Sequence, residues 1–293
     1  REQGFVGIFR TRFLKRLESS VEAFRVSLHR ALTFESTYLD YLLDGKVVAS
    51  QDFQKAMRFL ERDVEDDPSP GSMADELDEV AEARAHIESL PKVDLNQYDL
   101  RKLKRDVEAD VRLLKDLYDK TAPLAENDAK IEAIKQVLAK GLRGQKVLIF
   151  SSFKDTARYV HRVLTGDNSA KWRERIGDPN IRRIDSGNHP PERGHILGHF
   201  APVANEMEIK PDDEIDILIS TDVLSEGQNL QDCGVIVNYD LTWNPVRLVQ
   251  RNGRIDRIGS PHETIKIFNM FPEDELERLL HLVERLTTRI SQI

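Results

Sequence analysis

The sequence predicts an α/β lobe built on a parallel sheet with helices on both faces, preceded by an all-helical module. Residues 1 to about 125 place their apolar side chains at helical spacing and carry no internal repeat and no chemistry-bearing motif. From 126 to 293 the pattern changes to short apolar runs alternating with helical stretches. Strands that alternate with helices imply crossover connections, which parallel pairing requires.

Taken in order, Leu14, Leu17, Val21, Phe24, Leu28 and Leu32 set the apolar stripe of a helical stretch from Phe5 to Leu43, closed by Gly45. A second helix is expected over Asp52 to Leu60, then an acidic loop containing Asp67-Pro68-Ser69-Pro70-Gly71. A third runs from Ala74 to Leu90 and stops at Pro91, and Leu100, Leu103, Val107, Val111, Leu114 and Leu117 mark a long amphipathic helix up to Pro123. Asn127 is the expected cap of a helix from Ala129 to Lys140, which leads through Gly141 and Gly144 into a strand, Lys146 to Phe150. A helix over Lys154 to Leu164 follows, with further strands at Arg182 to Ile184, Ile215 to Ile219, Val235 to Asn238 and Ile265 to Phe268. In such a sheet ligands sit at the carboxyl ends of the strands, where the informative residues fall.

Composition bounds the partners. No apolar run approaches the roughly 18 residues of a membrane span. The single cysteine, Cys233, forms no internal disulfide, is expected to pack near the start of a core strand and suits a reducing compartment, so the cytoplasm is the expected location. The net charge of -8 is local: between Glu61 and Glu82 ten acids face one base, a net -9, which leaves about +1 elsewhere. Acidity therefore argues neither for nor against a nucleic-acid partner. A chain that opens at Arg1, inside a helical pattern, is expected to be a piece of a longer protein.

Two segments carry chemistry. The strand ending at Ile219 runs into Ser220-Thr-Asp-Val-Leu-Ser-Glu-Gly-Gln-Asn-Leu-Gln231, a polar loop whose hydroxyls and backbone N–H groups suit phosphate oxygens. Polar loops after buried strands are also common without any ligand. Further on, Pro245 opens a helix leading into Gln250-Arg-Asn-Gly-Arg-Ile-Asp-Arg-Ile-Gly259. Arg251, Arg254 and Arg257, spaced by three, are expected along one side of that helix, and three aligned cations repel unless an anion answers them. A solvated basic helix, partly neutralised by Asp256, would give the same spacing. His189, His195 and His199 form a conceivable metal face, but with only Glu192 as acid partner no metal site is expected there.

In order, spacing and wording the two segments resemble motifs V and VI of superfamily 2 helicases, most closely the Snf2-like ATPases. Val147-Leu-Ile-Phe-Ser-Ser-Phe153, the set Gly187, Arg193 and Phe200, and Asp240-Leu-Thr-Trp-Asn-Pro245 extend the resemblance over about residues 127 to 271. It implies a RecA-like C-terminal lobe, residues 126–293, of a motor driven by ATP and Mg. It further implies that Arg254 and Arg257 reach the γ-phosphate as catalytic arginine fingers, and that Gln250, Glu226 and Gly227 line the nucleotide cleft. Ser151, Thr221, Asn229 and Trp243 take the places of residues on the nucleic-acid side, with double-stranded DNA as the expected track.

Such motors hold Mg-ATP on Gly-x-x-x-x-Gly-Lys-Ser/Thr and an acidic Asp-Glu pair, and this sequence shows neither. The partner is then an N-terminal RecA-like lobe of the same protein, with the helical module, 1–125, inserted between the lobes. The chain alone is expected to lack ATPase activity. A basic face in the module, Arg10, Arg12, Lys15, Arg16, Arg25 and Arg30, is either a solvated surface or a duplex contact. Two alternatives stay open: a strand-separating DNA or RNA helicase with the same engine, and a non-catalytic docking lobe for a partner such as RNA polymerase.

Overall fold

The computed structural model describes residues 2–43, 85, 99–224, 228–242 and 244–290. The expected helices at 52–60 and 74–90 (Ala85, helical, excepted), the acidic loop, Glu226, Gly227 and Trp243 lie outside the described residues. Among the described residues no helix is long and apolar enough to cross a membrane.

The chain divides into two compact units, Arg1–Ala23 with Asp128–Ile293, and Phe24–Asn127. The expected division at 125/126 assigned the first helix to the helical module; in the structure α1 (Glu2–Ser19) packs with the sheet. The helical stretch expected from Phe5 to Leu43 breaks at Ser20, where the Ser20 hydroxyl accepts the Ala23 N–H at 3.0 Å and caps α2 (Val21–Leu43).

Five strands form the first unit's sheet: β1 (Val147–Ser151), β2 (Ile181–Ile184), β3 (Ile217–Thr221), β4 (Val235–Asn238) and β5 (Lys266–Asn269), ordered β2-β3-β1-β4-β5. Every pairing is parallel. The expected strand at 215–219 sits two residues further on, because Asp216 is spent at the strand's entrance, its carboxylate accepting the Asn180 N–H at 2.7 Å. The strand then continues through Ser220 and Thr221, polar yet buried.

Alternation along the strands divides the core. Val147, Ile149, Ile217, Ile219, Val235 and Val237 meet Ile131, Ile134 and Leu138 of α5 (Ala129–Gly141) and Val160 and Leu164 of α6 (Lys154–Thr165). On the other face Leu148, Phe150, Leu218 and Ile236 meet Ile196, Leu197 and Phe200 of α8 (Pro190–Phe200), with Cys233 among them. Between these helices α7 (Ala170–Ile176) leads towards β2. The cap of α5 is Asp128, not Asn127: its carboxylate accepts from the Lys130 and Ile131 N–H groups. After β4, α9 (Pro245–Asn252) returns across the rim, and α10 (Asp274–Leu280) and α11 (Leu282–Ile290) build a third apolar cluster with Leu14 and Leu241.

In the second unit Leu28, Ala31 and Phe34 of α2 and Val107 of α3 (Leu100–Lys120) are buried. Arg25 lies 4.2 Å over the Tyr118 ring and donates to the Tyr118 carbonyl and the Thr121 hydroxyl. Thr121 ends α3, and α4 (Ala122–Glu126) starts with its proline in the first turn.

Candidate nucleotide and nucleic-acid rim

Parallel register brings Ser151, Thr221 and Asn238 to one edge, the carboxyl ends of β1, β3 and β4. What organises that edge is Arg251, only 2 % exposed. Its guanidinium donates to both Asp222 oxygens at 2.6 and 2.9 Å, to Asn238 Oδ1 at 3.3 Å, to the Asp240 carbonyl at 3.2 Å and to Ser152 Oγ at 3.3 Å. The Phe150 ring lies 5.3 Å below it. One side chain thus joins the ends of three neighbouring strands.

The three arginines do not share one helical face. Gly253 ends α9, the Arg254 N–H bonds back to the Arg251 carbonyl at 3.1 Å, and Ile255 drops into the core with no exposed surface. Arg251 is therefore turned inward, while Arg254 and Arg257 follow the helix end and are half-buried. Arg257 donates to the Gly253 carbonyl at 3.2 Å and to Asn229 Oδ1. The Leu230 N–H reaches the Arg254 carbonyl at 3.3 Å, which ties the loop after β3 to this segment.

A second buried charge, Asp240, stands just after β4. It accepts from the hydroxyls of Ser19, Ser151 and Ser152 at 2.6, 2.6 and 2.7 Å and from the Ser152 N–H at 2.7 Å. Arg251 Nη2 is 4.0 Å away. Burial raises the pKa of this carboxyl, but Arg251, Lys15, Lys130 and the Ser151 hydroxyl outweigh it and hold it below the ordinary value.

The other sequence-predicted residues divide. Ser151 is 1 % exposed with its hydroxyl turned to Asp240, so it braces the rim from inside. Thr221 is buried too, but its Oγ1 finds no partner among the described residues. Gln250 is exposed on α9 and Asn229 is held by Arg257. Half-exposed guanidinium groups beside an exposed amide suit a polyphosphate. Among the described residues no three His, Cys, Asp or Glu side chains stand together as metal ligands; His195 and His199 stack, with ring centroids 4.0 Å apart.

The expected basic face is not a continuous surface. Lys15 and Arg16 are buried, Lys15 paired with Glu18 at 2.6 Å and Arg16 with Asp155, whereas Arg10 and Arg12 are exposed. At the end of β2, the buried Asp185 takes Arg158 at 3.1 Å, Arg183 and the Gly187 N–H at 2.7 Å. A Cβ on Gly187 would meet Arg158 Nη2 at 2.9 Å and Asp185 Oδ1 at 3.0 Å, so a larger residue there would have to shift the Arg158 side chain.

Sequence reasoning missed the structural parts played by Arg251, Asp222 and Asp240. The available signal was an acid one or two residues after an apolar strand, in Ser-Thr-Asp222 and Asn-Tyr-Asp240. Carboxylates at buried strand ends need a buried cation.

A parallel sheet with helices on both faces and a cation-bearing segment at its carboxyl rim define the class. Residues 129–259 match the helicase conserved C-terminal domain. Among curated relatives, the uncharacterized ATP-dependent helicase YqhH of Bacillus subtilis (strain 168) is 41% identical over 88 residues, 27% of this chain and 16% of that protein. The RNA polymerase-associated protein RapA of Yersinia pestis (strain Pestoides F) is 31% identical over 153 residues, 52% of this chain and 14% of that protein. The chain thus spans about one-seventh of the length of these relatives. The crystal structure of the C-terminal part of the Fun30 ATPase domain is 20% identical with a TM-score of 0.42, over 63% of this chain and 57% of that one. The Snf2-like resemblance read from the motifs agrees with the two curated relatives.

Proposed function

We propose that the chain is the C-terminal part of an ATP-dependent nucleic-acid translocase of the Snf2 type, moving on double-stranded DNA. The observation that carries this reading is the contrast among the three arginines. Arg251 is locked into the rim, and the segment beyond it presents Arg254 and Arg257 half-exposed at the carboxyl edge. A helix end anchored so firmly holds its last cations in place without reorganisation when charge develops on a transferring phosphoryl group.

In this reading ATP supplies the phosphoryl group, with Mg and most of the nucleotide held by an N-terminal RecA-like lobe. Arg254 and Arg257 stabilise the charge that develops on it, which in related NTPases is worth roughly 10³ to 10⁵ in rate. Gln250, with Glu226 and Gly227, lines the cleft. Asn229 and Thr221 serve the track side together with Trp243, and Ser151 supports them from within. Residues 1 to about 125 are the insertion that follows the N-terminal lobe, and Phe24–Asn127 is the part of it that does not belong to the sheet unit.

Two preparations test the proposal: this chain alone, and the full-length protein that carries it. The chain alone is expected to hydrolyse no ATP above background, and the full-length enzyme to be stimulated more by duplex than by single-stranded DNA. Turnover by the chain alone that Arg254→Ala abolishes would refute the division of labour. Stimulation only by forked substrates, with strand release, would favour a strand-separating helicase.

A further inference from the structure

We propose that Asp240 is a positioning residue that couples helix α1 to the segment bearing Arg254 and Arg257; the catalytic consequence rests on the function proposed above. Asp240 has no exposed surface and meets groups from three directions: Ser19 from α1, Ser151 and Ser152 from the end of β1, and Arg251 from α9. A rim that had only to close on itself would need no hydroxyl from a helix more than two hundred residues away in sequence.

Helix α1 is fastened at this point by more than Ser19. Lys15 donates to the Leu241 carbonyl, the residue after Asp240, and pairs with Glu18 at 2.6 Å. Lys130 donates to the carbonyls of Glu18 and Ser19 at 2.5 and 3.2 Å, and Ser20 meets Thr156 at 2.8 Å. Around the joint the carboxylates of Glu18, Asp222 and Asp240 face the cations Lys15, Lys130 and Arg251. Helix α1 supplies one charge of each sign, Lys15 and Glu18, so its seating leaves the count even and acts on Asp240 through the Ser19 hydroxyl and the nearness of Lys15. Withdrawing α1 removes Lys15 and the Ser19 hydroxyl from Asp240, and the buried carboxylate must then draw more heavily on Arg251, the residue that fixes the end of α9. A movement of α1 is thereby converted into a movement of Arg254 and Arg257, three and six residues further on.

Hydrogen exchange on this 293-residue chain, comparing wild type, Ser19→Ala and Asp240→Asn, tests the coupling directly. The Ser19 hydroxyl bonds to Thr156 and Asp240, so a merely local role would leave peptides covering Val246–Arg257 unchanged. The proposal expects both variants to speed exchange there and in α1, with α8 at the wild-type rate. No change at 246–257 in Ser19→Ala, or a uniform increase that includes α8, would overturn it.

In the full-length enzyme, Ser19→Ala should lower kcat about 3- to 30-fold with KM for ATP within about twofold, because small misplacements of catalytic groups cost up to about 100-fold. If Arg257→Ala abolishes turnover while Ser19→Ala leaves kcat intact, the coupling is wrong and the motor reading survives. If Arg257→Ala leaves turnover intact, the motor reading fails and the exchange pattern still decides the coupling.

Discussion

Among the described residues Arg251 is the largest side chain with almost no exposed surface, and its cost in isolation explains its company. Removing one partner of a buried pair leaves the other charge uncompensated, typically about 3–5 kcal/mol. Arg251→Ala is therefore expected to destabilise the sheet unit by about that amount in urea unfolding, with Arg251→Lys recovering only part, since an ammonium lacks the fork that spans Asp222. Cys233 makes a second residue-scale prediction. Burial pushes its thiol up to about 12, so at pH 8 the thiolate is scarce and the sulfur enclosed. Alkylation of the native chain should be at least about 100-fold slower than in denaturant; equal rates would contradict this packing. That Cys233 sits near the start of a core strand was legible from sequence, because it precedes an apolar run. Arg251 was not, because spacing by three says where residues fall on an unbroken helix and not where Gly253 ends it.

Elements were more legible than residues. The strand at Val235–Asn238 and the helix from Ala129 follow from runs of β-branched side chains and from a 3.6-residue period. Ends were missed where a polar side chain does a backbone's work, as at Ser20 and Asp128. Asp128 caps α5 and also accepts the Tyr159 hydroxyl at 3.0 Å. Asp128→Ala should cost about 1–2 kcal/mol, while Asp128→Asn, an equally good cap, should retain most of it. In the helical unit, burial and then the charge of Asp110 raise the Glu35 carboxyl to about 7. The folded form thus holds a proton that the unfolded chain releases near pH 4.5, so the carboxyl makes the unit less stable as pH rises from about 4.5 to 7. Over that window the loss attributable to Glu35 is expected to be about 1–3 kcal/mol. Exchange in α2 and α3 at pH 5.5 and 7.5, corrected for intrinsic rates, should show the difference in wild type and lose it in Glu35→Gln.

At the scale of the whole molecule, the rim's proposed nucleotide face was open to a reading of the sequence and its interior was not. Motif residues such as Gln250, Arg254 and Arg257 lie close together in the chain, so a local pattern reveals them. The joint beneath them does not: Ser19 and Asp240 are 221 residues apart, and only the closed fold brings them together. The proposed function requires Arg254 and Arg257 to act on the transition state of phosphoryl transfer rather than on the bound nucleotide. Its most direct measurement is the affinity of the full-length protein for ADP–aluminium fluoride, set beside a non-hydrolysable ATP analogue, in wild type, Arg254→Ala and Arg257→Ala. Each variant should lose on the order of 10³ in affinity for the transition-state mimic and keep its affinity for the ground-state analogue within a few-fold. Unchanged affinity for the mimic in both variants would contradict it.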